Sequence, residues 1–195
     1  MKPTLFVLFA VLASGCAFTE DHVHLAYTRE AAPVRVSGAE AVTAKVSVRD
    51  VRNDTSRVSV KKNGFGAEMA AIRADNSLAD LVRVAVEDEL RARGFQLGEV
   101  APMLIEVEVT RLWNDFKMGY FAGDARADFQ LAVQVKNPQG AIVFVHNYSV
   151  TGAEENVQLA SGTNAELALN RALEKGIRGL FADPAFLSAM VPPRS

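Results

Sequence analysis

Apolar and polar residues alternate over Val42-Thr43-Ala44-Lys45-Val46-Ser47-Val48-Arg49, the period of a strand with one face buried. An irregular polar stretch follows. Within it Val58 and Val60 suggest a strand extension, and Asn63-Gly64-Phe65-Gly66 makes a turn. The period then changes. Leu78, Leu81, Val82, Ala85 and Leu90 share one side of a helix, Ser77 and Asp80 form a capping-box pattern, and Gly94 suits a left-handed end. A helix over 78–93 is predicted. Met103, Ile105, Val107 and Val109 restore alternation, as do Ala127, Phe129, Leu131, Val133 and Val135, and then Ile142, Phe144, His146, Tyr148 and Val150. Asn137-Pro138-Gln139-Gly140 joins the last two runs as a turn. Setting Lys136 opposite Ala141 places Val135 against Ile142, Val133 against Phe144, Leu131 against His146, Phe129 against Tyr148 and Ala127 against Val150. One face of that hairpin is then almost wholly apolar. A second capping box, Thr163 with Glu166, opens a helix carrying Ala165, Leu169, Ala172, Leu173, Ile177 and Leu180, which Asp183-Pro184 stops. A short turn is expected from Ala185 to Met190. The order strand-helix-strand-strand-strand-helix implies an α+β fold: a single mixed or antiparallel sheet of about four strands, two helices packed on one face, and the other face left to water.

The chain of 195 residues suits one domain, expected over 42–190, with 191–195 as a tail. The formal charge of -2 gives no basic stripe, which argues against a nucleic-acid partner. One cysteine excludes an internal disulfide and a cysteine-built metal cage. Its position is informative. Lys2 precedes the apolar run Leu5–Leu12, which is shorter than the about 20 residues a permanent span requires. Ala13-Ser14-Gly15 then leads to Cys16. This resembles the lipobox of bacterial lipoprotein precursors, with Ala13 where Leu is commonest. The resemblance implies a signal peptide over 1–15, cleavage after Gly15, a thioether-linked diacylglycerol on Cys16 and further N-acylation of the palmitate type. Each buried CH₂ contributes about 0.8 kcal/mol, so several chains anchor the protein durably. Ala17 and Phe18 follow, with no Asp in the second position, which by the same resemblance permits sorting to the outer membrane with the domain facing the periplasm. Inner-membrane retention stays open. Residues 16–41 read as the lipidated N-terminus and a tether, in which Leu25-Ala26-Tyr27 is an apolar island able to dock on the domain.

Candidate chemistry is sparse. His22 and His24 form a His-x-His pair without a visible third ligand, so solvated side chains are expected and no metal is assigned. His146 reads as a core or core-edge histidine, since no nucleophile or carboxylate is evident beside it. Glu106 and Glu108, with Arg126 and Asp128, read as a wet sheet face rather than an acid–base pair. Gly64-Phe65-Gly66 lacks the residues of a phosphate-binding loop. The stretch from Leu112 to Phe121 holds the only Trp. Trp113, Phe116, Tyr120 and Phe121 are candidate contacts for a partner or ligand, unless the stretch continues a strand or folds onto the core.

The lipobox, Leu25-Ala26-Tyr27, Asp50-Val51-Arg52, Lys62-Asn63-Gly64-Phe65-Gly66, the helix ending Ala92-Arg93-Gly94-Phe95, and the final hairpin and helix together resemble the YajG-type bacterial lipoproteins over nearly the whole chain. The resemblance implies class and location and carries no mechanism. No catalytic residue or cofactor is assigned. The expected role is a membrane-anchored, non-enzymatic cell-envelope lipoprotein, held through lipid on Cys16, that serves as an interaction or accessory subunit for another envelope protein. The alternative is a module binding cell-wall glycan or lipid, with the aromatic stretch as its platform.

Overall fold

The computed structural model describes residues 19–29, 33–63, 65–119 and 122–191. Gly15 and Cys16 lie outside the described residues, as do Gly64, Tyr120 and Phe121. The chain runs β1 (Asp21–Val23), β2 (Thr43–Asp50), β3 (Ser59–Lys62), β4 (Glu68–Ala74), α1 (Leu78–Arg93), β5 (Gln96–Leu97), β6 (Met103–Met118), β7 (Gly123–Lys136), β8 (Ile142–Val157), α2 (Gly162–Ala182) and α3 (Pro184–Met190).

The class is α+β, but the single four-stranded sheet expected from the pattern is two sheets. The larger has the order β5-β2-β6-β7-β8 and the smaller β1-β4-β3. Among the described residues, three α-helices stand where two were expected. In the larger sheet β2 is parallel to β5 and β6, whereas β6, β7 and β8 form an antiparallel meander. The small sheet takes over where β2 ends. β2 follows β6 only as far as Val109, after which the Asn114 amide donates to the Val58 carbonyl and the Ser59 hydroxyl donates to that of Asn114. Asn114 and Ser59 are fully buried, and the side-chain Nδ2 of Asn114 donates to the Ser59 hydroxyl oxygen.

The loop between β2 and β3 is organised by Arg52. Its Nε and Nη2 donate to the two carboxylate oxygens of Asp50 at 2.9 and 2.8 Å. Its Nη1 donates to the carbonyls of Arg57 and Leu112, both at 3.2 Å. This pair is largely buried, so the planar fork of arginine does a job that a point-charge lysine would not.

α1 spans the predicted residues. The Ser77 hydroxyl accepts from the Asp80 amide, and Gly94 ends the helix at φ 102°. α2 starts earlier than predicted: Ser161 rather than Thr163 is its cap, accepting from the Asn164 amide, and the Glu166 carboxylate instead accepts from the His24 amide. Asp183 ends α2 and caps α3. Leu169, Ala172, Leu173, Ile177 and Leu180 of α2 and Val82, Val86 and Leu90 of α1 complete a core with the inward residues of β6 and β7. Close approach is required at Gly152 of β8, where a Cβ would stand 2.3 Å from the Ala168 carbonyl oxygen of α2.

Residues expected in a tether are partly built into this fold. β1 pairs in parallel with β4, and the Asp21 carboxylate accepts from the Gly162 amide at the start of α2. Leu25 is fully buried, so the apolar island docks. The Tyr27 hydroxyl donates to Glu89, whose carboxylate also pairs with Arg93, and the Arg93 guanidinium lies 4.5 Å from the centre of the Phe181 ring. A free tether would leave Glu89 buried without that hydroxyl.

The β7–β8 hairpin corrects the expected register. Val135 faces Phe144, Val133 faces His146, Leu131 faces Tyr148 and Phe129 faces Val150. This is two residues from the predicted pairing. The Asn137 amide donates to the Ala141 carbonyl, so the loop has three residues and closes on Gly140 at φ 77°. A further irregularity lies between Val135 and Lys136. A two-residue displacement keeps every side chain on its face, which is why alternation alone did not detect it.

Candidate functional site

From Leu112 to Met118 the aromatic stretch is strand, not loop. β6 carries a bulge between Val109 and Arg111, and this sets the fate of each aromatic. Up to Val109 the odd-numbered residues face the core. Beyond it the even-numbered ones do, so Leu112, Asn114 and Phe116 are buried. Phe116 is therefore a core residue and no contact for a partner. Trp113 is turned to the opposite, polar face, where it is half-buried. Tyr120 and Phe121 lie outside the described residues.

Around Trp113 the polar face of the larger sheet holds an open groove of about 460 Å³. β6 supplies Arg111, Asp115 and Lys117, β7 supplies Arg126 and Asp128, β8 supplies Thr151, and Lys62 and Glu68 come from the small sheet. The strand pairing makes a charge ladder: Trp113 opposite Asp128, Asp115 opposite Arg126, and Lys117 opposite Asp124. Lys62 pairs with Asp115, Arg126 with Asp124 at 3.0 Å, and Arg111 with Asp128 at 3.4 Å. The Thr151 hydroxyl donates to Asp128 at 3.1 Å. The Arg57 guanidinium stands 5.9 Å from the centre of the indole. Asp54 holds Arg57 there, and hydrogen bonds from Ser56 and Arg57 keep the Asp54 carboxyl well below its usual range.

Other candidates are dispersed. His146 is exposed on β8, its ring edge-on to Tyr148 at 4.6 Å, and among the described residues no carboxylate or hydroxyl hydrogen-bonds to it. The neighbouring Tyr148 hydroxyl donates to Asp183 at 2.7 Å. Burial and that bond raise the tyrosine above its ordinary range, and the same bond lowers Asp183. His24 pairs with Asp75 at 2.9 Å, His22 is exposed, and no group of three or more His, Cys, Asp or Glu is placed to hold a metal ion among the described residues. Glu106 and Glu108 lie on the polar face in ion pairs with Lys136 and Arg49. Asn63 closes the predicted turn, its side-chain oxygen accepting from the amides of Phe65 and Ala67. What residue reading missed is the bulge at Thr110. The only signal is that the apolar parity of β6 changes between Val109 and Leu112.

A family described as uncharacterized lipoprotein matches this chain over residues 30–190. The chain belongs to that family. It is a YajG-type lipoprotein, similar to the uncharacterized lipoprotein YajG of Escherichia coli strain K12, with 23% identity over 183 residues that cover 93% of each chain. In fold it is similar to protein XCC0632 of Xanthomonas campestris, with a TM-score of 0.55 and 12% identity, over 83% of this chain and 91% of that one. No helix among the described residues is long and apolar enough to cross a membrane.

Proposed function

We propose that this lipoprotein is cleaved after Gly15, is held at the outer membrane by acyl chains on Cys16 with its domain in the periplasm, and serves without catalysis of its own as a docking subunit for another envelope protein. The polar face of the larger sheet is the docking surface. One observation carries this reading: the single Trp of the chain is turned out of the core by a strand bulge, into the middle of a charge ladder beside an open groove on the polar sheet face. Trp and Arg dominate interface energetics, and an alternating ladder specifies which partner fits and in what orientation. An open polar groove suits a protein surface better than a small apolar ligand, which calls for an enclosed apolar pocket.

Covalent labelling of lysines tests the docking. Lys62 and Lys117 should react more slowly in intact envelopes than in the detergent-purified protein, while Lys175 on α2 should be unchanged. Equal reactivity of Lys62 and Lys117 in both would remove the proposal. The anchor has its own test: Cys16→Ser should abolish acyl labelling and shift the protein out of the membrane fraction, and unchanged mass and fractionation would contradict it.

A further inference from the structure

β8 ends the larger sheet, and its outer edge has no strand beside it among the described residues. Such an edge displays a row of backbone donors and acceptors that proteins normally blunt with charge, proline or a covering side chain. One half of β8 is blunted in this way. Lys175 and Arg171 of α2 donate to the outward carbonyls of Thr151 and Ala153. Odd-numbered residues therefore direct their backbone groups outward, and Val145, Asn147 and Ser149 continue that row without such a cap. From Ala141 to Thr151 there is no Asp, Glu, Lys, Arg or Pro. The same half exposes Ile142, Val143 and Val145, the last at 63%. Val143 also lines an apolar groove of about 610 Å³ with Met103 and Pro138.

We infer that this uncapped half of β8 pairs, antiparallel, with the same strand of a second copy of this chain, on a two-fold axis passing at Val145. A two-fold axis sets every group near it against its own kind, so a charged edge would repel its copy, and this edge carries no carboxylate, ammonium or guanidinium for eleven residues. With the axis at Val145, Val145 faces its twin and Val143 faces Asn147 of the copy. The most exposed apolar side chain of the patch is then covered by itself. The row ends where Lys175 and Arg171 close it, which sets the length of the pairing. The two larger sheets become one of ten strands. This contact uses the edge of the sheet and leaves the Trp113 groove open, so it stands or falls apart from the docking proposed above.

The test uses the full-length lipidated chain in its membrane. Val145→Cys, treated with a short bis-maleimide, should give a species of twice the chain mass, against a wild-type background carrying Cys16 alone. Val100→Cys, at a residue even more exposed and just past β5, the strand at the opposite edge of the larger sheet, should not. In detergent, sedimentation with the micelle mass subtracted should give a dimer for the wild type and a shift to monomer for Val145→Asp, with at least a tenfold weaker association and, at concentrations where both are monomeric, the same melting temperature. No crosslink from Val145→Cys, a crosslink only to a different protein, or a monomeric wild type at every concentration would each overturn the inference.

Discussion

Replacing Arg52 with Ala tests the account of how the two sheets are joined. The guanidinium makes four hydrogen bonds, two to Asp50 and one each to the carbonyls of Arg57 and Leu112. Its side chain is 7% exposed and that of Asp50 17%. Truncation leaves a mostly buried carboxylate without its counter-charge and two carbonyls without a donor. Removing one partner of a buried pair costs about 3–5 kcal/mol, a large share of the about 5–15 kcal/mol by which domains are stable. Arg52→Lys keeps the charge and loses the fork, so it should cost less, about 1–2 kcal/mol for one or two hydrogen bonds. Asp50→Asn with Arg52→Met removes both charges and should recover part of the loss. Urea unfolding followed by the fluorescence of Trp113 reads these differences as shifts of the midpoint at constant slope. A midpoint for Arg52→Ala within about 0.5 kcal/mol of wild type would refute the claim that this fork holds the loop.

Three further outcomes follow from the packing. Gly152→Val forces a side chain into the space held by the Ala168 carbonyl oxygen and the Ala172 amide of α2, at 2.3 and 2.4 Å from an ideal Cβ, and should destabilise by at least about 1–3 kcal/mol in the same unfolding assay. Ser161→Ala should cost about 1 kcal/mol through the lost cap of α2, whereas Thr163→Ala, inside the helix, should change the midpoint by less. Burial and the bond to Glu89 raise Tyr27, and burial and the bond to Asp183 raise Tyr148, above the ordinary 10.0. Unfolded phenols release protons near that pH while the folded ones keep theirs, so stability is full below pH 10 and falls as pH rises beyond it. Stability measured between pH 8 and 11.5 should show that fall, with a shallower slope in Tyr27→Phe and in Tyr148→Phe.

The parts legible in the sequence are those that punctuation and parity determine. Ser77 and Gly94 bracket α1, and both act as an unambiguous cap. The faces of β7 and β8 follow from alternation, but their register does not, because a two-residue shift leaves each face intact and the turn at Gly140 decides it. β4 is hidden because Ala70-Ala71 interrupts the alternation around Ile72, whereas Val58 and Val60 mark β3 as a strand but not its place in a second sheet. β1 is too short for a period, and only its contacts with β4 and α2 make it a strand. The site was half legible. The aromatic stretch stands out by composition, yet which of its rings faces solvent depends on one extra residue at Thr110, and that residue sends Phe116 inward and Trp113 outward.

The most direct test of the docking claim is photo-crosslinking in living cells from a reactive residue introduced at Thr151 or Lys117, beside Trp113. The account predicts one specific protein adduct from both positions, weakened by Trp113→Ala and absent from a probe at Val100. Adducts from Val100 alone, or none from either groove position while the protein sits folded in its membrane, would contradict it.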